Sequence, residues 1–249
     1  MENAGTALNV EVCLTPKLFP EVQTGEERIV VLADILRATT SICAAFQNGV
    51  ASILPVADAD EAKALKEAGY LVASEQDGRK HDFADFGNSA FHFTREAIGG
   101  KSLVYCTTNG TRALALASGS GEIAIGAFIN LGALAQWLCR QGKNVVVLCS
   151  GWKNRFCLED TLFAGALTER LLRSEPFITG CDSAYAALDL WSIASADPVG
   201  YLGKAAHRQR LRRLGLDDVL AFSLTIDVTD VVPVYRNGLI TNVNHQPNI

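Results

Sequence analysis

The chain has 249 residues, 22 Lys and Arg against 27 Asp and Glu, a formal charge of −5, and 49% apolar residues. That apolar content is enough for a sizeable core and excludes a disordered chain. An isoelectric point near 5.4 argues against a nucleic-acid binder, and no apolar run reaches the roughly 18 residues of a membrane span.

In chain order, short apolar runs alternate with Ala/Leu-rich stretches. Val10–Leu14, Ile29–Ala33, Ser102–Cys106, Glu122–Ile125 and Asn144–Cys149 have strand length and composition. The continuous runs fit strands covered on both faces. Asp58 is placed to cap a helix with Glu61 three residues on, and Gly69 to end it. Thr39–Phe46, Ala113–Ala117, Leu131–Arg140, Leu158–Leu172 and Ser183–Ala194 read as further helices. This alternation predicts a three-layer α/β/α protein, its sheet largely parallel or mixed, in one domain over residues 1–249. The N-terminal Met-Glu-Asn-Ala-Gly lacks the regions of a signal peptide, so the expected address is cytoplasmic. Seven cysteines with no Cys-x-x-Cys pair fit free thiols rather than disulfides or structural zinc. Asn109-Gly-Thr111 matches a glycosylation sequon, which that address makes irrelevant.

Ligands of α/β sheets sit beyond the carboxyl ends of strands, so the segments after the strands carry the functional signal. Asp34-Ile-Leu-Arg37-Ala-Thr39-Thr40 follows the first central run. Thr107-Thr-Asn109-Gly110-Thr111-Arg112 and Ser150-Gly151-Trp-Lys-Asn-Arg155 follow two others. Each combines hydroxyl or glycine residues with an arginine ahead of a helix, which suits phosphate, sulfonate or carboxylate. Capping explains any one loop equally well, but three alike favour an anion site. No loop has a Walker or Gly-x-Gly-x-x-Gly pattern, so nucleoside triphosphates and dinucleotides are not indicated.

Asp34 ends a wholly apolar strand, where a charge needs an ion pair, a hydrogen-bond role or a metal. Glu159 and Asp160 open a helix, where the macrodipole favours acids. Acids beside anion loops repel the ligand unless a cation lies between them, and Mg²⁺ fits that position. Cys106 to Arg112 and Cys149 to Arg155 both have the Cys-x5-Arg spacing of cysteine-dependent phosphatases, but each cysteine ends an apolar strand. The five Lys/Arg of Lys204–Arg213 read as a solvated helix face, from which His207 could reach a site as proton donor or phosphate ligand.

Together, Asp34-Ile-Leu-Arg-Ala-Thr-Thr40, Phe86-Gly-Asn88-Ser89, Thr107-Thr-Asn-Gly-Thr-Arg-Ala113, Ser150-Gly-Trp152, Leu158-Glu-Asp160, Asp182-Ser-Ala184 and the segment from His207 to Leu211 resemble the magnesium-dependent 2-phosphosulfolactate phosphatases. The resemblance runs from about Val10 to Val234. It implies hydrolysis of 2-phospho-3-sulfolactate to 3-sulfolactate and phosphate, a substrate with three anionic groups. Asp34, Glu159, Asp160 and His207 are then the expected catalytic residues, with Asp34, Glu159 and Asp160 holding Mg²⁺ and Asp34 also a candidate nucleophile. Substrate binding is expected from Arg37, Thr39, Thr40, Asn88, Ser89, Thr107, Asn109, Gly110, Thr111, Arg112, Gly151 and Arg155. Two positions depart from the family pattern: Gln76 stands where an arginine is usual, and Ala90 where a proline often follows Phe-Gly-Asn-Ser. The alternatives are a metal-free phosphatase using Cys149 and a non-catalytic protein that binds an anionic metabolite.

Overall fold

The computed structural model describes residues 7–22, 27–174 and 176–244. Its strands are β1 (Leu8–Cys13), β2 (Arg28–Ala33), β3 (Ser52–Pro55), β4 (Leu71–Gln76), β5 (Arg79–Lys80), β6 (Ser102–Cys106), β7 (Glu122–Gly126), β8 (Asn144–Cys149), β9 (Phe177–Ile178), β10 (Pro233–Arg236) and β11 (Leu239–Asn242). The helices are α1 (Ala38–Gln47), α2 (Ala59–Glu67), α3 (Arg95–Ile98), α4 (Gly110–Ala117), α5 (Leu131–Gln141), α6 (Leu158–Leu172), α7 (Asp182–Ala194), α8 (Pro198–Tyr201), α9 (Ala206–Arg213) and α10 (Leu220–Ser223). The expected α/β architecture holds: helices flank one mixed, 11-stranded sheet in the order β5-β4-β6-β3-β11-β10-β7-β2-β8-β1-β9.

The sheet has two parallel blocks. In one, β2 pairs with β7 and β8, and β8 with β1; in the other, β6 pairs with β3 and β4. All six residues of β2 are buried, the outcome its apolar run requires. The blocks are joined by the antiparallel hairpin β10–β11, which pairs with β7 on one side and β3 on the other. Asn237 and Gly238 turn it at φ 51 and φ 87, the pair of positive angles that a two-residue hairpin of this hand needs. The hairpin reverses strand direction between the blocks. A twist of about 20–25° per strand, accumulated over the six steps from β2 to β4, turns β4 by roughly 130° and offsets most of that reversal. The ends of β2, β4, β6 and β8 can therefore meet.

Two local features place the functional residues. Asp58 caps α2 as expected, accepting from Asp60 N and Glu61 N. The first turn of α1 instead hangs on Asp34: its carbonyl accepts from Thr39 N at 2.9 Å and its Oδ1 from Ala38 N at 3.2 Å. Helix α6 is buried along most of its length, which takes Glu159 and Asp160 inside with it. Gly165 lets α7 approach, because a Cβ there would lie 2.1 Å from the Ala187 carbonyl oxygen.

Candidate active site

The cleft lies where the segments after β2, β4, β6 and β8 meet α9. Asp34, Arg37, Glu75, Asp77, Asn88, Thr108 and Asn109 line it from the sheet side. Trp152, His207, Arg210 and Leu211 close it from the other. Its free volume is about 20 Å³, room for about one water.

Asp160 fixes two of these segments to each other. Its Oδ1 accepts from Ile35 N and its Oδ2 from Gly151 N, both at 2.9 Å. Gly151 sits at φ +58, and a Cβ there would be 2.1 Å from the Arg155 carbonyl oxygen. Only glycine fits that turn, which Trp152 and Arg155 close through reciprocal backbone hydrogen bonds. Glu75 performs a similar task on the far side. It accepts from Thr108 N at 2.9 Å and from Gly78 N at 2.5 Å. Asn109 joins the third pair, accepting from Lys153 N at 3.1 Å.

The threonines hold these turns. Thr39 Oγ1 accepts from Asp34 N and Thr40 Oγ1 donates to the Ile35 carbonyl. Thr111 Oγ1 donates to the Thr107 carbonyl at 2.9 Å, and Thr107 Oγ1 accepts from Thr111 N. Gly110 packs against the acid itself: a Cβ there would lie 2.7 Å from Ala38 Cβ and 3.2 Å from Asp34 Oδ2. Asn88 lines the cleft and accepts from the Tyr105 hydroxyl, while Ser89 is buried with its hydroxyl unpartnered.

Charge is concentrated here. Asp34 is 8% exposed, and burial pushes its carboxyl up to about 6, helped by Glu75 and opposed by the Ala38 N–H, Ser150 and Arg37. Glu159 is raised to about 7, again mainly by burial, with Asp34 adding to it. Burial, Glu159 and Asp34 all push Asp160 up, against its two N–H donors. Arg37, also buried, is lowered by desolvation but held charged by Glu75 and Asp34. His207 is pushed down to about 4 by burial and by Arg210, so it is neutral at pH 7.

Helix α9 is a wall of the site: His207 reaches it as expected, and Arg210, which the basic run did not single out, lines it as well. Arg210 lies over the Trp152 ring with its guanidinium carbon 4.9 Å from the centroid, and His207 meets the same ring edge-on at 6.2 Å. Arg210 also donates to the Asp77 carbonyl. Of the expected substrate-binding residues, Arg37, Asn88 and Asn109 line the cleft. Arg112 and Arg155 are exposed and lie outside the cleft lining. Gln76 is exposed as well, on the strand face opposite Glu75. Cys149 is fully buried and its thiol is raised far above the ordinary value by burial; Cys106 is buried and raised too. Thiols so placed are poor nucleophiles.

Residues 13–238 match the family model described as 2-phosphosulpholactate phosphatase. The chain belongs to that family. Among its relatives, a protein of Gloeobacter violaceus is 36% identical over 232 residues, covering 91% of this chain and 94% of the relative. One of Prochlorococcus marinus is 38% identical over 214 residues, covering 83% and 88%. One of Caldanaerobacter subterraneus is 32% identical over 219 residues, covering 86% and 90%. All three carry the name probable 2-phosphosulfolactate phosphatase. Membership of this phosphoric monoester hydrolase family favours the enzyme reading over the metabolite-binding one. No described helix is long and apolar enough to cross a membrane.

Proposed function

We propose that this protein hydrolyses 2-phospho-3-sulfolactate to 3-sulfolactate and phosphate in a Mg²⁺-dependent reaction. The observation that carries the reading is the burial of Asp34 beside Glu159 and Arg37 at the junction of the three loops, in a chain of this family. Asp34 raises the pKa of the buried Glu159, a repulsion that a cation between the two carboxylates would relieve, and the buried Oε2 of Glu159 has no hydrogen-bond partner. Asp34 and Glu159 are therefore the fitting Mg²⁺ ligands. Asp160, with both oxygens already receiving backbone N–H groups, serves as the tie between the loops of β2 and β8. Bound Mg²⁺ supplies positive charge to the phosphoryl oxygens.

The remaining work belongs to the chain. Arg37 offers a preorganised guanidinium to one anionic group, and Arg210 on α9 offers a second. Neutral His207 can accept a hydrogen bond in the cleft without adding positive charge there. Trp152 and Leu211 exclude water from the reacting group. The cleft as it stands has room for about one water, so substrate binding requires it to widen, and α9, which carries Arg210, forms one of its walls.

Phosphate release from 2-phospho-3-sulfolactate, measured in Mg²⁺ and in EDTA, tests the reading. Turnover in Mg²⁺ that EDTA abolishes and added Mg²⁺ restores supports it. Full turnover in EDTA overturns the metal requirement, and no turnover in either condition overturns the substrate.

A further inference from the structure

Three side chains from two distant parts of the chain meet beside the cleft. Cys157 precedes α6, Glu159 lies in its first turn, and His207 lies in the first turn of α9. The Cys157 Sγ, a Glu159 carboxylate oxygen and a His207 ring nitrogen all lie within 4.8 Å of one another. Glu159 is only 2% exposed, and its Oε2 and both His207 ring nitrogens are buried without a well-formed hydrogen bond; the Cys157 thiol faces Glu159 and the Leu36 backbone faces His207. Buried polar groups left unpaired in this way are rare and costly. One cation would take Glu159 and one of the two His207 nitrogens together. Bond lengths of about 2.0–2.3 Å around a tetrahedral ion put its ligand atoms roughly 3.3–3.8 Å apart, within the spread found here.

The donors select the ion. Thiolate and imidazole are weak ligands for Mg²⁺ and strong ones for Zn²⁺ and related borderline-soft cations. We propose that Cys157, Glu159 and His207 form a binding site for a Zn²⁺-class cation, with its fourth position open towards the cleft that His207 lines. On binding, the Cys157 S–H bond gives way to a sulfur–metal bond and the proton leaves to solvent. The site stands independently of the substrate reading. It shares Glu159 with the proposed Mg²⁺ position, so Zn²⁺ and Mg²⁺ compete for that carboxylate.

The test is metal content, not turnover. The full chain is incubated with Zn²⁺ in a large excess of Mg²⁺, desalted and analysed, and a second sample is loaded with Co²⁺ as an optical probe. We expect about one retained Zn²⁺ per chain and a thiolate-to-Co²⁺ charge-transfer band. Cys157→Ser and His207→Gln should each lose the band or weaken binding at least about tenfold. His207→Gln carries the test alone should the serine variant not fold. Absence of retained Zn²⁺ overturns the proposal. So does equal retention by both variants, which would assign the metal to other thiols such as Cys139 or Cys181. Neither result depends on which phosphate ester the protein hydrolyses.

Discussion

Glu159 and Asp160 are neighbours and equally buried, yet removing them should change the stability of the metal-free protein in opposite directions. Glu159 Oε2 has no partner, and its carboxyl is raised from 4.5 to about 7. A raised acid costs stability above its folded pKa, and that cost vanishes below its unfolded pKa. At 1.36 kcal/mol per unit, the cost above pH 7 is about 3 kcal/mol, fading as the pH falls towards 4.5. Glu159→Gln removes it. The groups facing this position, Asp34, Asp160, Cys157 and His207, are common to both proteins and largely cancel. Asp160→Ala instead strands the Ile35 and Gly151 N–H groups, at about 1–3 kcal/mol each. Loss of a charge beside Glu159 and Asp34 offsets part of that, leaving a net destabilisation. Urea unfolding in EDTA near pH 7.5 and near pH 5 measures both. Glu159→Gln should be the more stable protein at the higher pH and nearly equal to wild type at the lower, while Asp160→Ala should be weaker at both. A Glu159→Gln protein less stable than wild type near pH 7.5 would refute the reasoning, because the carboxylate would then have a stabilising partner.

Further expectations follow from the same geometry. Gly110→Ala forces Ala38 and Asp34 apart by several tenths of an ångström, so kcat should fall at least about tenfold, since misplacement of a reacting group is costly; unchanged kinetics would show that Asp34 has room to move. Gln76→Arg should leave the preference for phosphosulfolactate over a phosphomonoester without sulfonate unchanged, because the side chain faces away from the cleft; a raised preference would place position 76 at the substrate. Cys149→Ala should keep turnover within a few-fold of wild type while losing about 1 kcal/mol of packing; loss of turnover in a folded variant would restore the cysteine mechanism.

Part of the cleft lining was legible because a charge ends an apolar strand. Asp34 stands out after Ile29–Ala33, and the Gly-, Ser- and Thr-rich segments after Cys106 and Cys149 do converge with it. Glu75 offered a similar signal near the end of Leu71–Gln76, but that strand is mixed in polarity, so the buried carboxylate does not stand out. Arg210 and His207 sit in a run that reads as solvated; only the tertiary docking of α9 on Trp152 turns them inward. The converse happened to Arg112 and Arg155, whose loops reach the cleft while their side chains remain exposed. For the fold, alternation of strands and helices indicated a largely parallel or mixed sheet, and the sheet is mixed, with two parallel blocks. The hairpin that joins them was not expected, although Asn237-Gly238 is its local turn signal. Its place in the middle of the sheet, with its two strands separating sequence-distant blocks, is set by pairing that no local pattern encodes.

The central claim is that Asp34 holds the Mg²⁺ the reaction needs, and kcat of Asp34→Asn at saturating Mg²⁺ with 2-phospho-3-sulfolactate tests it most directly. With an unfolding midpoint confirming that the variant is folded, the account predicts a fall of at least about 10²-fold, the scale of one lost electrostatic contact to a transition state. Wild-type turnover by the folded variant would contradict it and reduce Asp34 to the residue that starts α1.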